Sequence, residues 1–177
     1  MSLDELVIRI RSDCGESADQ IPGFDPANGN ENARYLLLLE SPGPKAVESG
    51  IVSISNNDPT AKNLSSQLAK AAINQTDIVI WNVIPWKLSG DSGTIRPAKE
   101  EDFSKGQIYL EPLIDELPNL KCIVLVGASA RRVHVYLSSF AKVPILSCHH
   151  TSSQSMNNGK DRMGENIRVF EFMRNNF

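Results

Sequence analysis

The segment ILSCHHTSSQS, residues 145–155, ends an apolar run in Cys148-His149-His150 and continues into hydroxyl-bearing residues. Two of the chain's three histidines lie here. Such side chains can ligate a metal, pair a cysteine nucleophile with a histidine base, or donate to a developing anion. Alternate residues of a strand share a face, so Cys148 and His150 are expected to point together and His149 away. A metal would need third and fourth ligands, and no clustered Cys, His or Asp supplies them. A strand cysteine is equally well explained as a small buried hydrophobe.

Two other stretches carry matching chemistry. LLLLESPGP puts Glu40-Ser41-Pro42-Gly43 at the end of an apolar run, and IVIWNVIPW does the same for Asn82. A carboxylate and an imidazole form an acid–base or electrostatic pair. A side-chain amide offers both a donor and an acceptor to a planar ligand. Taken singly, Glu40 also reads as a solvated strand end, Asn82 as a turn residue and the DPTA at 58–61 as a helix start. His134, beside Arg131 and Arg132, reads as a surface or packing residue, and Trp81 and Trp86 read as core.

Position separates these readings, and position comes from the elements. SLDELVIRI reads as a helix with a Ser2/Glu5 capping box and Leu3, Leu6, Val7 and Ile10 on one face. Residues 13–33, rich in Gly, Pro, Asn and Asp, read as a long loop. RYLLLLE, DIVIWNVIPW, KCIVLVG and VPILSCHH read as strands, apolar enough on both faces to be buried and parallel. Between them, Asp58 caps a helix with Pro59 at its first position. Residues 96–120 are helical by spacing, with Gly106 and Pro112 marking a kink, and SARRVHVYLSSF is a further helix. MGENIRVFEFMRNNF closes the chain as a helix. Strands alternating with crossover helices imply a single domain, a three-layer α/β/α sandwich around a four-stranded parallel sheet. Ligands of such sheets bind beyond the carboxyl ends of the strands. Glu40, Asn82, the Gly127-Ala128-Ser129 turn and His150 all fall on that rim.

Composition narrows the class. The 177 residues carry a formal charge of −3 and three scattered cysteines. That odd number, without C-x-x-C spacing, argues against a disulfide scaffold and a zinc ribbon. The N-terminus has no signal-peptide apolar core and no stretch approaches a membrane span, so a cytoplasmic location is expected. A G-x-G-x-x-G fingerprint and a Walker loop are both absent, which argues against a dinucleotide or nucleotide site.

In this order and spacing, LLLLESPGP, IVIWNVIPW, IRP, CIVLVGASA and ILSCHHTSSQS resemble the uracil-DNA glycosylase superfamily, from about Tyr35 to Ser155. The likeness is nearest to bacterial uracil-DNA-glycosylase-like proteins. In the iron–sulfur branch the first motif reads Gly-Glu-Ala-Pro-Gly, and Leu39-Glu40-Ser41-Pro42-Gly43 stands in its place. The resemblance implies Glu40 and His150 as catalytic residues, the first positioning water and the second stabilising the leaving base. It implies Asn82 as the reader of the base edge, with Ser41, Pro42, Gly43 and Ser152 also binding substrate. Arg131, Arg132, Lys160 and Arg162 are candidates for DNA phosphate contacts. Arg96-Pro97 resembles an Arg-x-Pro element.

The departures from the pattern are specific. Thr151 follows His150 where the family has proline, which implies a less rigid loop. Gln154 stands at the position of the wedge that enters the DNA stack, with Met156 the nearest apolar residue. Near Gly50-Ile51-Val52, where a base-stacking aromatic is expected, only aliphatics occur. Trp86 and Gly106 stand about where cluster cysteines would fall, so no iron–sulfur cluster, no other cofactor and no metal are expected. The resemblance implies DNA carrying uracil or another deaminated base as the partner and hydrolysis of its N-glycosidic bond after base flipping as the activity, and a monomer is expected. Two alternatives are a binding module on the same fold that holds nucleic acid or base without cutting, and an unrelated α/β hydrolase using Cys148 with His150.

Overall fold

The computed structural model describes residues 1–15, 19–90 and 94–177. Residues 16–18, within the expected 13–33 loop, lie outside them. The elements run α1 (Leu3–Cys14), β1 (Gly23–Phe24), β2 (Tyr35–Leu39), α2 (Pro44–Ser49), β3 (Ile51–Val52), α3 (Pro59–Lys70), β4 (Ile78–Asn82), α4 (Glu100–Gly106), α5 (Leu110–Asp115), β5 (Cys122–Val126), α6 (His134–Ser138), β6 (Ile145–Cys148), α7 (Ser153–Met156) and α8 (Arg162–Asn176).

The four expected strands form one parallel sheet in the order β4-β2-β5-β6. β2, β4 and β5 are apolar on both faces because both faces are covered, and Leu36, Leu37, Leu38, Val79, Ile123, Val124 and Leu125 are fully buried. Each such leucine contributes roughly 1.5–3 kcal/mol relative to an exposed one. The helices pack as α3 with α8 and α1 with α5, giving the three layers. β2 and β5 are neighbours although β4 comes between them in the chain, so the connections diverge at that pair. A crevice for a ligand opens where connections diverge in this way.

Local chemistry explains the ends that matter. Ser2 Oγ accepts from Glu5 N–H at 3.2 Å and Ser2 N–H donates to Glu5 Oε2 at 2.6 Å, the expected capping box. Asp58 accepts from Ala61 N–H at 3.0 Å and starts α3 with Pro59 in its first turn. The helix expected over 96–120 is broken into α4 and α5. A Cβ at Gly106 would sit 2.4 Å from Val83 C=O, so glycine lets this segment press against the chain leaving β4. Arg96 grips Asp102 with two bonds of 2.6 and 2.7 Å, and holds its carboxyl down to about 2. Arg96 is thereby a fastening for the start of α4.

Two differences from the sequence reading bear on the site. Residues 130–138 form a 3₁₀ turn, Ala130–Val133, followed by the short α6, so the GAS turn at 127–129 does not open one long helix. A second, two-stranded parallel sheet joins β1 to β3, and the ring of Phe24 in β1 stacks on Trp81 of β4 at 4.0 Å. This small sheet carries residues 51–56 alongside the main one and builds a wall that periodicity did not reveal. Among the described residues no helix is long and apolar enough to cross a membrane.

Candidate active site

Two adjoining cavities open beyond the carboxyl ends of the strands. The inner one, about 510 Å³, is reached past Ser41-Pro42-Gly43 and is lined by Asn82, His150 and the wall from Val52 to Ala61. The outer one, about 620 Å³, is lined by Glu40, Ser41, Gly127 to Ser129, His150, Ser152 and Arg162. Ser41 and His150 face both. The structure therefore brings Glu40, Ser41, Pro42, Gly43, Asn82 and His150 to one rim.

Asn82 is the last residue of β4, level with Leu39 of β2. The backbone ladder runs on past it, with Val83 and Ile84 N–H bonded to the carbonyls of Leu39 and Glu40 at 2.9 Å each. That ladder fixes the side chain at the floor of the inner cavity. Asn82 is only 3 % exposed, and its Nδ2 makes no hydrogen bond among the described residues. A buried unbonded amide donor costs about 1–3 kcal/mol. A ligand acceptor supplied from the cavity would remove that cost.

His150 follows β6, and its Nδ1 accepts from Ser152 N–H at 3.2 Å. In the neutral ring that bond leaves the proton on Nε2, which makes the ring a hydrogen-bond donor. Burial pushes the imidazole below its ordinary pKa, and the Glu40 carboxylate partly offsets the shift. The ring is therefore neutral at pH 7. An NMR titration should show His150 protonating below the usual value near 6.5, and still lower in Glu40→Gln, which removes the raising influence. Because the folded state resists protonation, this group's stability contribution is complete above pH about 6.5 and declines as pH falls towards the folded midpoint.

Gly127 shapes the same corner. Its φ of 97° lies in the left-handed region, and an added Cβ would stand 3.0 Å from His150 Cβ and 3.1 Å from Cδ2. Gly127→Ala is expected to shift the ring and cost about 10²-fold in any rate that depends on it. A crystal structure of the variant beside its rate would check this.

The loop after His150 is held despite the absence of proline. Thr151 is fully buried; its Oγ1 donates to Thr60 C=O at 3.0 Å and its carbonyl accepts from Asn63 Nδ2 at 2.8 Å. Two bonds to α3 thus hold the backbone at the position where the family has the ring of a proline. His149 points away from the cavities and its Nε2 lies 2.7 Å from Glu165. Cys148 is buried outside both cavities, and desolvation pushes its thiol up to about 12. A buried thiol raised in this way and placed outside both cavities argues against the Cys/His nucleophile. Among the described residues no three His, Cys, Asp or Glu side chains group as a metal site.

The basic candidates divide. Arg162, half-buried, lines the outer cavity; its Nη1 donates to Ser155 C=O and Oγ at 3.3 Å each, and its Nε is buried without a partner. Arg131 and Lys160 are exposed. Arg132, also exposed, pairs with Glu100 and lies over the Phe103 ring at 4.3 Å. Ser152 borders the outer cavity, not the inner, and caps α7 by accepting from Ser155 N–H at 3.3 Å. Met156 is tied inward, its sulfur accepting from Gln67 Nε2 at 3.2 Å, and Gln154 is the exposed residue on the outer rim.

Two cavity residues escaped the sequence reading. Ser53 and Asn56 are buried polar residues on the inner wall. Ser53 donates to the buried Asp25 carboxylate and accepts from Ser55 N–H at 2.9 Å, and Asn56 Nδ2 donates to Ile51 C=O at 3.0 Å. Val52, Ile54 and Leu64 supply the apolar part of that lining, Asn57, Asp58 and Thr60 add polar groups, and no Phe, Tyr or Trp is among the lining residues.

Comparison with known proteins agrees with this geometry. No curated protein matches the chain. Its fold is similar to the solution NMR structure of a proposed uracil DNA glycosylase from Methanosarcina acetivorans, with a TM-score of 0.57 and 18% identity over 86% of this chain and 98% of that one. The model of the uracil DNA glycosylase superfamily matches residues 26–173. A match over that much of the chain, with Glu40, Asn82 and His150 on one rim, places this protein in the uracil DNA glycosylase superfamily.

Proposed function

We propose that the protein is a DNA glycosylase that hydrolyses the N-glycosidic bond of uracil or another deaminated base. The observation that carries this reading is the buried Asn82 amide, unbonded among the described residues, in a cavity that shares His150 with the adjoining cavity lined by Glu40. A base inside a duplex cannot reach such a cavity, so the nucleotide is flipped out of the stack. Its edge then supplies the acceptor that Asn82 Nδ2 lacks. As the bond from the sugar C1′ to the base nitrogen breaks, its electron pair goes to the base. His150 Nε2–H donates to the base carbonyl where that charge collects. Glu40 stabilises the positive sugar and orients the water whose oxygen bonds to C1′; the water's proton leaves through the carboxylate. Aimed dipoles and charges of this kind contribute several kcal/mol in a site that excludes water. Arg162, Arg131 and Lys160 are proposed as phosphate contacts on the outer side.

The test is direct. Excess protein is mixed with labelled oligonucleotides carrying uracil, hypoxanthine or xanthine, single-stranded and mispaired, and abasic sites are read by alkaline cleavage. Product with at least one base is expected. The lack of a Phe, Tyr or Trp in the inner cavity favours a second reading, a module that holds nucleic acid without cutting it, since a flipped base there goes without the roughly 1–3 kcal/mol that a stacking ring supplies and is seated less firmly for reaction. Tight binding of every oligonucleotide with no abasic product would establish that reading instead.

A further inference from the structure

His150 is held through its neighbours more than through its own ring. Among the described residues the ring accepts one hydrogen bond, from Ser152 N–H. On either side the backbone is gripped by side chains from two helices. From α8, Asn166 Oδ1 accepts from His149 N–H at 2.8 Å and Asn166 Nδ2 donates to His149 C=O at 3.0 Å. An amide that bonds both groups of one residue does what a neighbouring strand would do, so Asn166 extends the ladder one residue beyond the end of β6. From α3, Asn63 Nδ2 donates to Thr151 C=O at 2.8 Å. The peptide leading into His150 and the residue following it are both pinned.

A plainer role for Asn166 is to join two helices, because its Nδ2 also donates to Gln67 Oε1 at 2.9 Å. That role needs only the bond between α3 and α8. It leaves unexplained why a fully buried amide spends its remaining capacity on both backbone groups of His149. Burying an amide is costly unless its bonds are made, and an apolar residue would pack two helices without that cost. The pattern fits a site in which the direction of one side chain matters more than the strength of the helix contact.

We propose that Asn166 and Asn63 are positioning residues for His150, holding its Nε2–H in line with the base carbonyl. The proposal rests on the reading of His150 as the donor to the leaving base. α3 takes part twice, since Thr60, Ala61 and Leu64 line the inner cavity while Asn63 holds Thr151. One helix therefore sets both the wall beside the base and the place of the imidazole.

Three variants separate the possibilities. Asn166→Leu keeps the branched outline of the side chain and removes both bonds to His149 together with the bond to Gln67. Asn63→Leu removes the bond to Thr151 and, at a half-buried position, decides the matter should Asn166→Leu fail to fold. Gln67→Met cuts the helix-to-helix bond and leaves His149 gripped. Each is measured for single-turnover excision, for DNA affinity and for the ¹⁵N signals of the His150 ring, which report tautomer and pKa without needing activity. The two asparagine variants should excise on the order of 10–100-fold more slowly with unchanged DNA affinity, and their His150 signals should move towards mixed tautomers. Gln67→Met should match wild type in all three. Wild-type rates and ring signals in the asparagine variants, or the same loss in Gln67→Met, would overturn the proposal. A wild type that excises nothing contradicts the glycosylase reading alone, and the ring signals still decide whether the clamp holds.

Discussion

Replacing His150 by alanine should slow base excision by about 10²–10³-fold, the usual consequence of removing one donor from a preorganised anion-stabilising site. The loss should fall on the chemical step. His150 contributes no bond that binds phosphate, so DNA affinity should change little. The ring is also poorly replaced from outside, because burial and the Gly127 contact define its place. Single-turnover rates and a binding isotherm on the same oligonucleotide separate the two effects. Equal losses in rate and affinity would mean that His150 holds DNA instead of assisting the reaction.

Asn82→Leu should abolish excision and raise stability. The native amide is 3 % exposed with Nδ2 unbonded. Leucine has the same branched outline, an open cavity beside it to take its larger methyl groups, and nothing to leave unpaired, so unfolding should require about 1 kcal/mol more. Activity should fall on the order of 10⁴-fold, because a site that recognises its ligand by hydrogen bonds discriminates by that much once the bond is gone. Opposite movements of stability and activity in one variant are the signature of a residue kept for function at the expense of the fold. Chemical denaturation beside the excision assay reads both. A destabilised Asn82→Leu would show that the amide belongs to the structure.

Much of the fold was legible because its strands are unusually plain. Leu36 to Leu38, Ile78 to Ile80 and Ile123 to Val126 are apolar without alternation, which only a doubly covered parallel sheet rewards. Once those strands are placed, the rule for open sheets sends Glu40, Asn82 and His150 to one edge, and they are found there. The alternation rule sent His149 away from the cavities, where it meets Glu165, but it also put Cys148 beside His150, and Cys148 lines neither cavity. What stayed hidden depends on contacts distant in sequence. Arg132 is held by Glu100 and Phe103, about thirty positions upstream, and nothing local announces that pairing. Ser53 and Asn56 sit on an irregular stretch whose place is fixed by the two-residue strands β1 and β3, too short for any period to show. Thr151 looked like the loss of a constraint because a proline is rigid by itself, whereas a threonine becomes so only through Thr60 and Asn63. Gly106 was legible as an interruption but not as the point where α4 meets Val83.

Glu40 is the residue on which the proposed chemistry most depends: in that proposal it faces the developing sugar cation, and among the described residues the only other carboxylate lining either cavity is Asp58, which caps α3. The most direct measurement is single-turnover excision by wild type and Glu40→Gln side by side, with matched folding and DNA affinity. The account expects abasic sites from wild type and a rate at least about 10²-fold lower in Glu40→Gln. Equal rates in the two proteins, or no abasic product from wild type on any of the three bases, would contradict it.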